Sequence, residues 1–233
     1  MLDVDSLDAW YGQAQVLYRV SLAVGAGECV ALVGRNGAGK STTMKAIMGL
    51  IARRRGTVVF RGRDISSLPA YRIARLGLGW VPEDRRVFTD LTVRENLAVA
   101  RQPKREGAPE WTPEKLYALF PNLGAMPDRP GGRMSGGEQQ MLTVARTLMG
   151  NPYLVLLDEP SEGVAPIIVE EMARMIAALK AAGVAILLSE QNLHFAQLVS
   201  DRAVVLEKGE VKFDGTMEAL MSDEMLLRTH LSV

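Results

Sequence analysis

The sequence predicts an α/β fold with a mostly parallel sheet, flanked by an N-terminal antiparallel β subdomain and a helical subdomain. Three observations predict it. Short apolar runs such as CVALV and YLVLL alternate with helical patterns along the chain. One of these runs ends in a glycine-rich loop that opens a helix. The first 24 residues read as two strands, with Val, Leu and Tyr alternating with polar residues at a period of two.

Taken in order, Leu2–Trp10 and Val16–Val24 are the two opening strands. CVALVG at Cys29–Gly34 is an unbroken apolar run, as a strand buried on both faces requires. STTMKAIMGL after its loop is a helix, and Gly56–Gly62 is a strand between glycines. The basic cluster Arg53-Arg54-Arg55 reads as a solvated loop. From Pro69 to about Pro130 the chain carries prolines, arginines and short helical patterns, and Thr92 and Glu95 have capping-box spacing. Ser135–Gly150 is helical, Tyr153–Pro160 is a buried strand ending in acids, and Ile167–Ala182 is a helix. VAILLS and Ala203–Leu206 are further apolar strands; Gly209–Gly215 gives the last strand and turn signals, and the tail is helical. No heptad run, low-complexity tract or repeat of domain-building length interrupts this pattern. It is expected to form a single domain over 1–233, with the helical subdomain inserted at approximately 86–150.

Composition narrows the function. The 233 residues are 48% hydrophobic and 23% charged, an ordinary globular balance. Lysine plus arginine (27) equals aspartate plus glutamate (27), so no global field holds the chain on nucleic acid or anionic lipid. The single cysteine, Cys29, excludes a disulfide framework and a zinc cluster. The N-terminus lacks a signal-peptide pattern, and the apolar runs are strand-sized, so a reducing, soluble compartment is expected.

The loop Gly34-Arg35-Asn36-Gly37-Ala38-Gly39-Lys40-Ser41, continued by Thr42, fits G-x-x-x-x-G-K-[ST] between a buried strand and a helix. Phosphate chemistry needs these residue types there. Gly34, Gly37 and Gly39 permit backbone angles that turn N–H groups toward an anion, and the helix adds the positive end of its dipole. Lys40 supplies a point charge for the terminal phosphates, and the Ser41 hydroxyl can ligate Mg²⁺. A dinucleotide fold would need G-x-G-x-x-G with a downstream ribose acid, and neither is present. Asp158 and Glu159 end the YLVLL strand, where open α/β sheets bind ligands. Asp158 is expected to hold Mg²⁺ and Glu159 to act as general base toward water, which makes hydrolysis the preferred reading. Ser135-Gly136-Gly137-Glu138-Gln139 opens a helix with an N-cap serine and bare glycine N–H groups. A second phosphate-binding terminus within one domain points to a partner whose nucleotide it completes.

GRNGAGKST, MSGGEQ and LLDEP, in this order over almost the whole chain, resemble the ATP-binding subunits of ABC transporters. The resemblance implies a P-loop ATPase core and a head-to-tail dimer with ATP and Mg²⁺ at the interface, each nucleotide held between one subunit's phosphate loop and the other's SGGEQ helix. It also implies that Tyr11 stacks on adenine, and that closure of the dimer drives a pair of membrane permeases. VPEDRRVF, SEGVAP and SEQN further resemble the second ATPase subunit of bacterial branched-chain amino-acid importers. Their partners would be a different ATPase, two permeases and, indirectly, a periplasmic substrate-binding protein, at the cytoplasmic face of the inner membrane. Relatives that carry urea, amides or aromatic acids, and non-transport ABC ATPases, remain as alternatives. Three positions depart from the broad family pattern. Glu83 replaces a glutamine at the expected Mg²⁺ and permease-linking position, Gln191 a γ-phosphate-bonding histidine, and Ala165 an aspartate. His194 reads as a surface or packing residue, and His230 carries no signal. Glu83–Phe88, with Arg85 and Arg86, is the expected permease-facing segment.

Overall fold

The computed structural model describes residues 1–231; the last two residues of the expected 1–233 domain lie outside them. The N-terminal strands are β1 (Leu2–Tyr11) and β2 (Ala14–Val24), joined by a tight turn at Gly12. They form an antiparallel sheet in the order β2-β1-β4-β5, with β4 at Arg53–Phe60 and β5 at Arg63–Asp64. The second sheet contains β3 (Cys29–Val33), β6 (Leu78–Val81), β7 (Leu154–Asp158), β8 (Ala185–Glu190), β9 (Arg202–Glu207) and β10 (Glu210–Thr216). Its order is β10-β9-β3-β8-β7-β6. Every pairing is parallel except that of β10 with β9, which closes the edge as a hairpin.

Side-chain alternation sorts the parallel strands onto two cores. Val30, Leu32, Leu154, Leu156, Ala185 and Leu187 face α1 (Lys40–Ile47), which fills the space between the two sheets with Met44, Ala46 and Ile47. The intervening Val155, Leu157, Ile186 and Leu188 face a helical layer. That layer comprises α3 (Val93–Ala100), α4 (Pro113–Leu119), α5 (Pro121–Gly124), α6 (Gly136–Leu148) and α7 (Pro166–Ala181), with a short 3₁₀ turn at Gly131–Arg133. Residues buried on both faces explain why these strands read as continuous apolar runs. The remaining helices are α2 (Ala70–Arg75), α8 (Leu193–Val199), α9 (Met217–Ser222) and α10 (Glu224–Leu226), followed by a π turn at Leu227–Leu231.

Two expectations need correction. Arg53-Arg54-Arg55 is not a loop; it opens β4. Arg53 and Arg55 flank the Trp10 ring at 4.8 and 5.7 Å, while the Arg54 guanidinium donates to the carbonyls of Ile51, Ser66 and Leu68. Cation–π stacking and carbonyl acceptors give these charges fixed places that their types do not announce. The chain between Pro69 and Pro130 is not only helical, because β6 lies within it and pairs with β7. His230, which carried no signal, pairs with Glu207 at 2.6 Å and fixes the tail. The capping box of Thr92 and Glu95 is present as expected, with reciprocal bonds at the start of α3.

Candidate active site

The sheet order places the carboxyl ends of β3, β8 and β7 side by side, the crevice in which open α/β sheets hold ligands. The phosphate loop leaves β3 there. Gly39 sits at the N-cap of α1 with φ +109°, a conformation that L side chains rarely adopt. Gly34 has a different reason. Its φ is not left-handed; instead, a Cβ there would run into the carbonyl oxygen of Leu206 on β9. The expectation that all three glycines serve backbone angles is thereby corrected for Gly34, where close approach decides.

Lys40 is 4% exposed. Its Nζ donates to the carbonyls of Gly34 (2.8 Å) and Arg35 (3.2 Å) and pairs with Glu159 Oε1 at 3.1 Å. Asp158, the last residue of β7, accepts from the Ser41 hydroxyl at 2.9 Å and from the Ser189 hydroxyl at 2.6 Å. Burial pushes its carboxyl above the ordinary aspartate range, against the lowering effect of those two bonds. Glu159 follows in a left-handed conformation with φ +48°. Its N–H donates to the carbonyl of Ser189 (3.1 Å) and to its hydroxyl (3.2 Å). Ser189 therefore indexes both acids: one hydroxyl touches the Asp158 carboxylate and the Glu159 backbone. A strained backbone held by such bonds is common where a side chain must be aimed.

Lys40, Ser41, Thr42, Asn36, Gly37, Gly39, Glu83 and Glu159 line one cavity of about 400 Å³, which Val16 and Glu162 complete. The last two were not singled out in the sequence; Glu162 belongs to SEGVAP, but nothing in the motif signals that it turns back toward Glu159. A hydrogen bond to Glu159 holds the Glu162 carboxyl above its ordinary range. Arg35, Asn36 and Gln191 share a neighbouring cavity with Leu193 and Leu231. Ala38 is buried, and its carbonyl accepts from Gly209 N–H, which ties the loop to the turn between β9 and β10. Tyr11 is 49% exposed at the end of β1, outside the phosphate-loop cavity.

Ser135, Gly136, Gly137 and Glu138 are separate from this cavity. Ser135 caps α6 and forms a full capping box with Glu138, whose carboxylate accepts from Ser135 N–H at 2.7 Å. Arg85 lies against Gly136 and donates to the carbonyls of Glu162 and Gly163 at 2.9 and 3.3 Å. Arg146 on α6 donates to the carbonyl of Arg86 and stacks on Phe88. Ala165 stands at the N-cap of α7 without a side-chain cap, and His194 is exposed.

The donor set suits a divalent cation. Ser41 and Asp158 place hard oxygens together, and Glu83, Glu159 and Glu162 line the same region together with Lys40.

The family profile described as ABC transporter matches residues 17–162. This chain belongs to the ABC transporter ATPase family. It is 41% identical over 231 residues, 99% of each chain, to the high-affinity branched-chain amino acid transport ATP-binding protein BraG of Pseudomonas aeruginosa. It is 36% identical to the lipopolysaccharide export system ATP-binding protein LptB of Haemophilus influenzae, over 99% of this chain and 97% of that one. A solved ATP-binding subunit of an ABC transporter superposes with a TM-score of 0.82 at 30% identity, covering 100% of this chain and 96% of that one. The protein is accordingly an ATP-binding, ATP-hydrolysing transporter subunit, of a family whose ATPases work as dimers with membrane permeases. Among the described residues, no helix is long and apolar enough to cross a membrane.

Proposed function

We propose that this ABC ATPase energises import of branched-chain amino acids (leucine, isoleucine and valine). It would do so as one of two different ATPase subunits on a pair of permeases, fed by a periplasmic binding protein, at the cytoplasmic face of the inner membrane. The observation that carries the reading is the 41% identity to the BraG protein across 99% of both chains. A probable branched-chain amino acid transport ATP-binding protein, LivF, of Archaeoglobus fulgidus supports it at 36% identity over 96% of this chain.

In the mechanism, the loop from Gly34 to Thr42 wraps the triphosphate with backbone N–H groups, and Lys40 exchanges Glu159 for phosphate oxygens. Ser41 and Asp158, with Glu83 beside them, would hold Mg²⁺, which neutralises phosphate charge when bound. Glu159, freed from Lys40 and aimed by Ser189, takes the proton of the attacking water. Gln191 donates an amide hydrogen bond to the terminal phosphate; unlike a histidine it does not titrate in the physiological range. Tyr11 stacks on adenine. Ser135–Glu138 opens α6 toward the nucleotide of the facing subunit in a head-to-tail dimer, with Gly136 and Gly137 leaving the N–H groups bare.

Deletion of the gene tests the cargo. Loss of radiolabelled leucine uptake, restored by the wild-type gene and not by a Glu159→Gln copy, is the expected result. Intact leucine uptake with failing lipopolysaccharide export would move the assignment to the LptB relatives, which are also full-length matches. Loss of urea, amide or aromatic-acid uptake alone would move it to those importers.

A further inference from the structure

Glu190, in the SEQN stretch, has no role in the mechanism above. It is the last residue of β8, 2% exposed, and pairs in register with Val33 immediately before the phosphate loop. Burying a carboxylate is costly unless something compensates it. No lysine, arginine or histidine among the described residues forms an ion pair with Glu190. What faces it are Ser161, whose hydroxyl hydrogen-bonds to the carboxylate and whose N–H reaches Oε1 at 3.2 Å, and Asn192, whose N–H reaches Oε2 at 3.3 Å. Ser161 opens the SEGVAP turn after β7. Asn192 follows Gln191 and caps α8 through its side chain. The carboxylate also lines a cavity of about 300 Å³ with Glu159, Ser161, Glu162, Gln191 and Asn192.

We propose that Glu190 is a positioning residue for ATP hydrolysis, its two oxygens fastening the SEGVAP turn and the Gln191 turn to one point beside Glu159. The chemistry of the site selects a carboxylate. Both neighbours are donors, so both oxygens must accept. An amide would accept from one and set its own N–H₂ against the other, and a hydroxyl reaches one alone. Desolvation raises the Glu190 carboxyl to about 7, so the doubly accepting carboxylate prevails above neutral pH and its burial carries a thermodynamic cost. The tie joins two turns distant in sequence, at Ser161 and Asn192, that line a cavity together with Glu159. A displacement of either turn therefore reaches the other through the Glu190 side chain at the end of β8. The inference rests on the roles proposed above for Glu159 and Gln191.

The test compares wild type, Glu190→Gln, Gln191→Ala and the double variant in the full chain, co-purified with its membrane subunits. ATP affinity is measured by equilibrium binding, turnover by phosphate release, and folding by thermal melting at about pH 8. Glu190→Gln is expected to lower kcat about tenfold, the effect of one misplaced buried donor. ATP affinity should stay within about twofold and the melting temperature at or above wild type. In the Gln191→Ala background the same change should cost clearly less, because the two residues act through one turn. Turnover within about twofold of wild type would overturn the proposal. So would loss of affinity and melting temperature together with turnover, which marks a merely structural residue, or strict additivity with Gln191→Ala. Glu159→Gln, run in parallel, tests the base by itself: if it hydrolyses normally, the parent reading has failed rather than this one.

Discussion

Removing the charge of Glu190 should make the nucleotide-free protein more stable in base and leave it unchanged or weaker in acid. Burial raises this carboxyl from 4.5 to about 7, which corresponds to about 3 kcal/mol of difference between the two protonation states. The folded chain binds the proton more tightly than the unfolded chain does. The associated stability is therefore fully present below about pH 4.5 and is lost as pH rises through about 7. Glu190→Gln does not titrate and escapes that loss, but it gives up one acceptor, at about 1 kcal/mol. Relative to wild type the variant should be within about 1 kcal/mol at about pH 4, where the wild-type carboxyl is protonated, and about 2 kcal/mol more stable at about pH 8. Urea unfolding of both proteins at the two pH values measures this directly, and other titrating groups cancel in the difference. A stability difference independent of pH would refute the reasoning, since it would mean that Glu190 ionises equally easily folded and unfolded.

Further outcomes follow from the same geometry. Lys40→Ala removes a charge-assisted phosphate contact and should weaken ATP binding by about 2 kcal/mol, read by nucleotide titration; unchanged affinity would contradict its place in the loop. Glu159→Gln should slow phosphate release by at least about a hundredfold while leaving ATP bound, as loss of a general base predicts. Gly209→Ala places a Cβ against the Val16 carbonyl at a φ of +80°, and should cost about 3 kcal/mol in thermal unfolding, where a silent substitution would dispute that contact. Arg54→Ala strips the donor from three carbonyls and should destabilise the antiparallel sheet by about 2 kcal/mol in urea; no change would show that water satisfies them equally well.

The phosphate loop and the acids at the end of β7 were legible because their chemistry demands fixed residue types at short spacing, between elements whose apolar runs are unambiguous. Other features depend on neighbours far along the chain. β6 escaped notice because its four residues, LGWV, include a glycine that weakens the strand signal. Gly79 is there because a Cβ would crowd the Thr147 side chain on α6, some seventy positions later. Arg53 and Arg55 are exposed as solvated charge should be, but the strand they share with Arg54 shows only once Trp10 and the carbonyls of residues 51–68 are in place around them. Gly34 was read as serving backbone angles, whereas the Leu206 carbonyl that crowds it lies on another strand. Glu190 lies within SEQN, but it bonds to backbone N–H groups, which every residue but proline carries, so the stretch does not signal what it holds.

If Glu159 is the base proposed above, its ion pair with Lys40 is a built-in safety catch. A single ammonium cannot clamp both the protein's own acid and an incoming polyanion at full strength. Under the proposed mechanism the base would stay occupied until nucleotide arrives, and the fuel itself would set it loose.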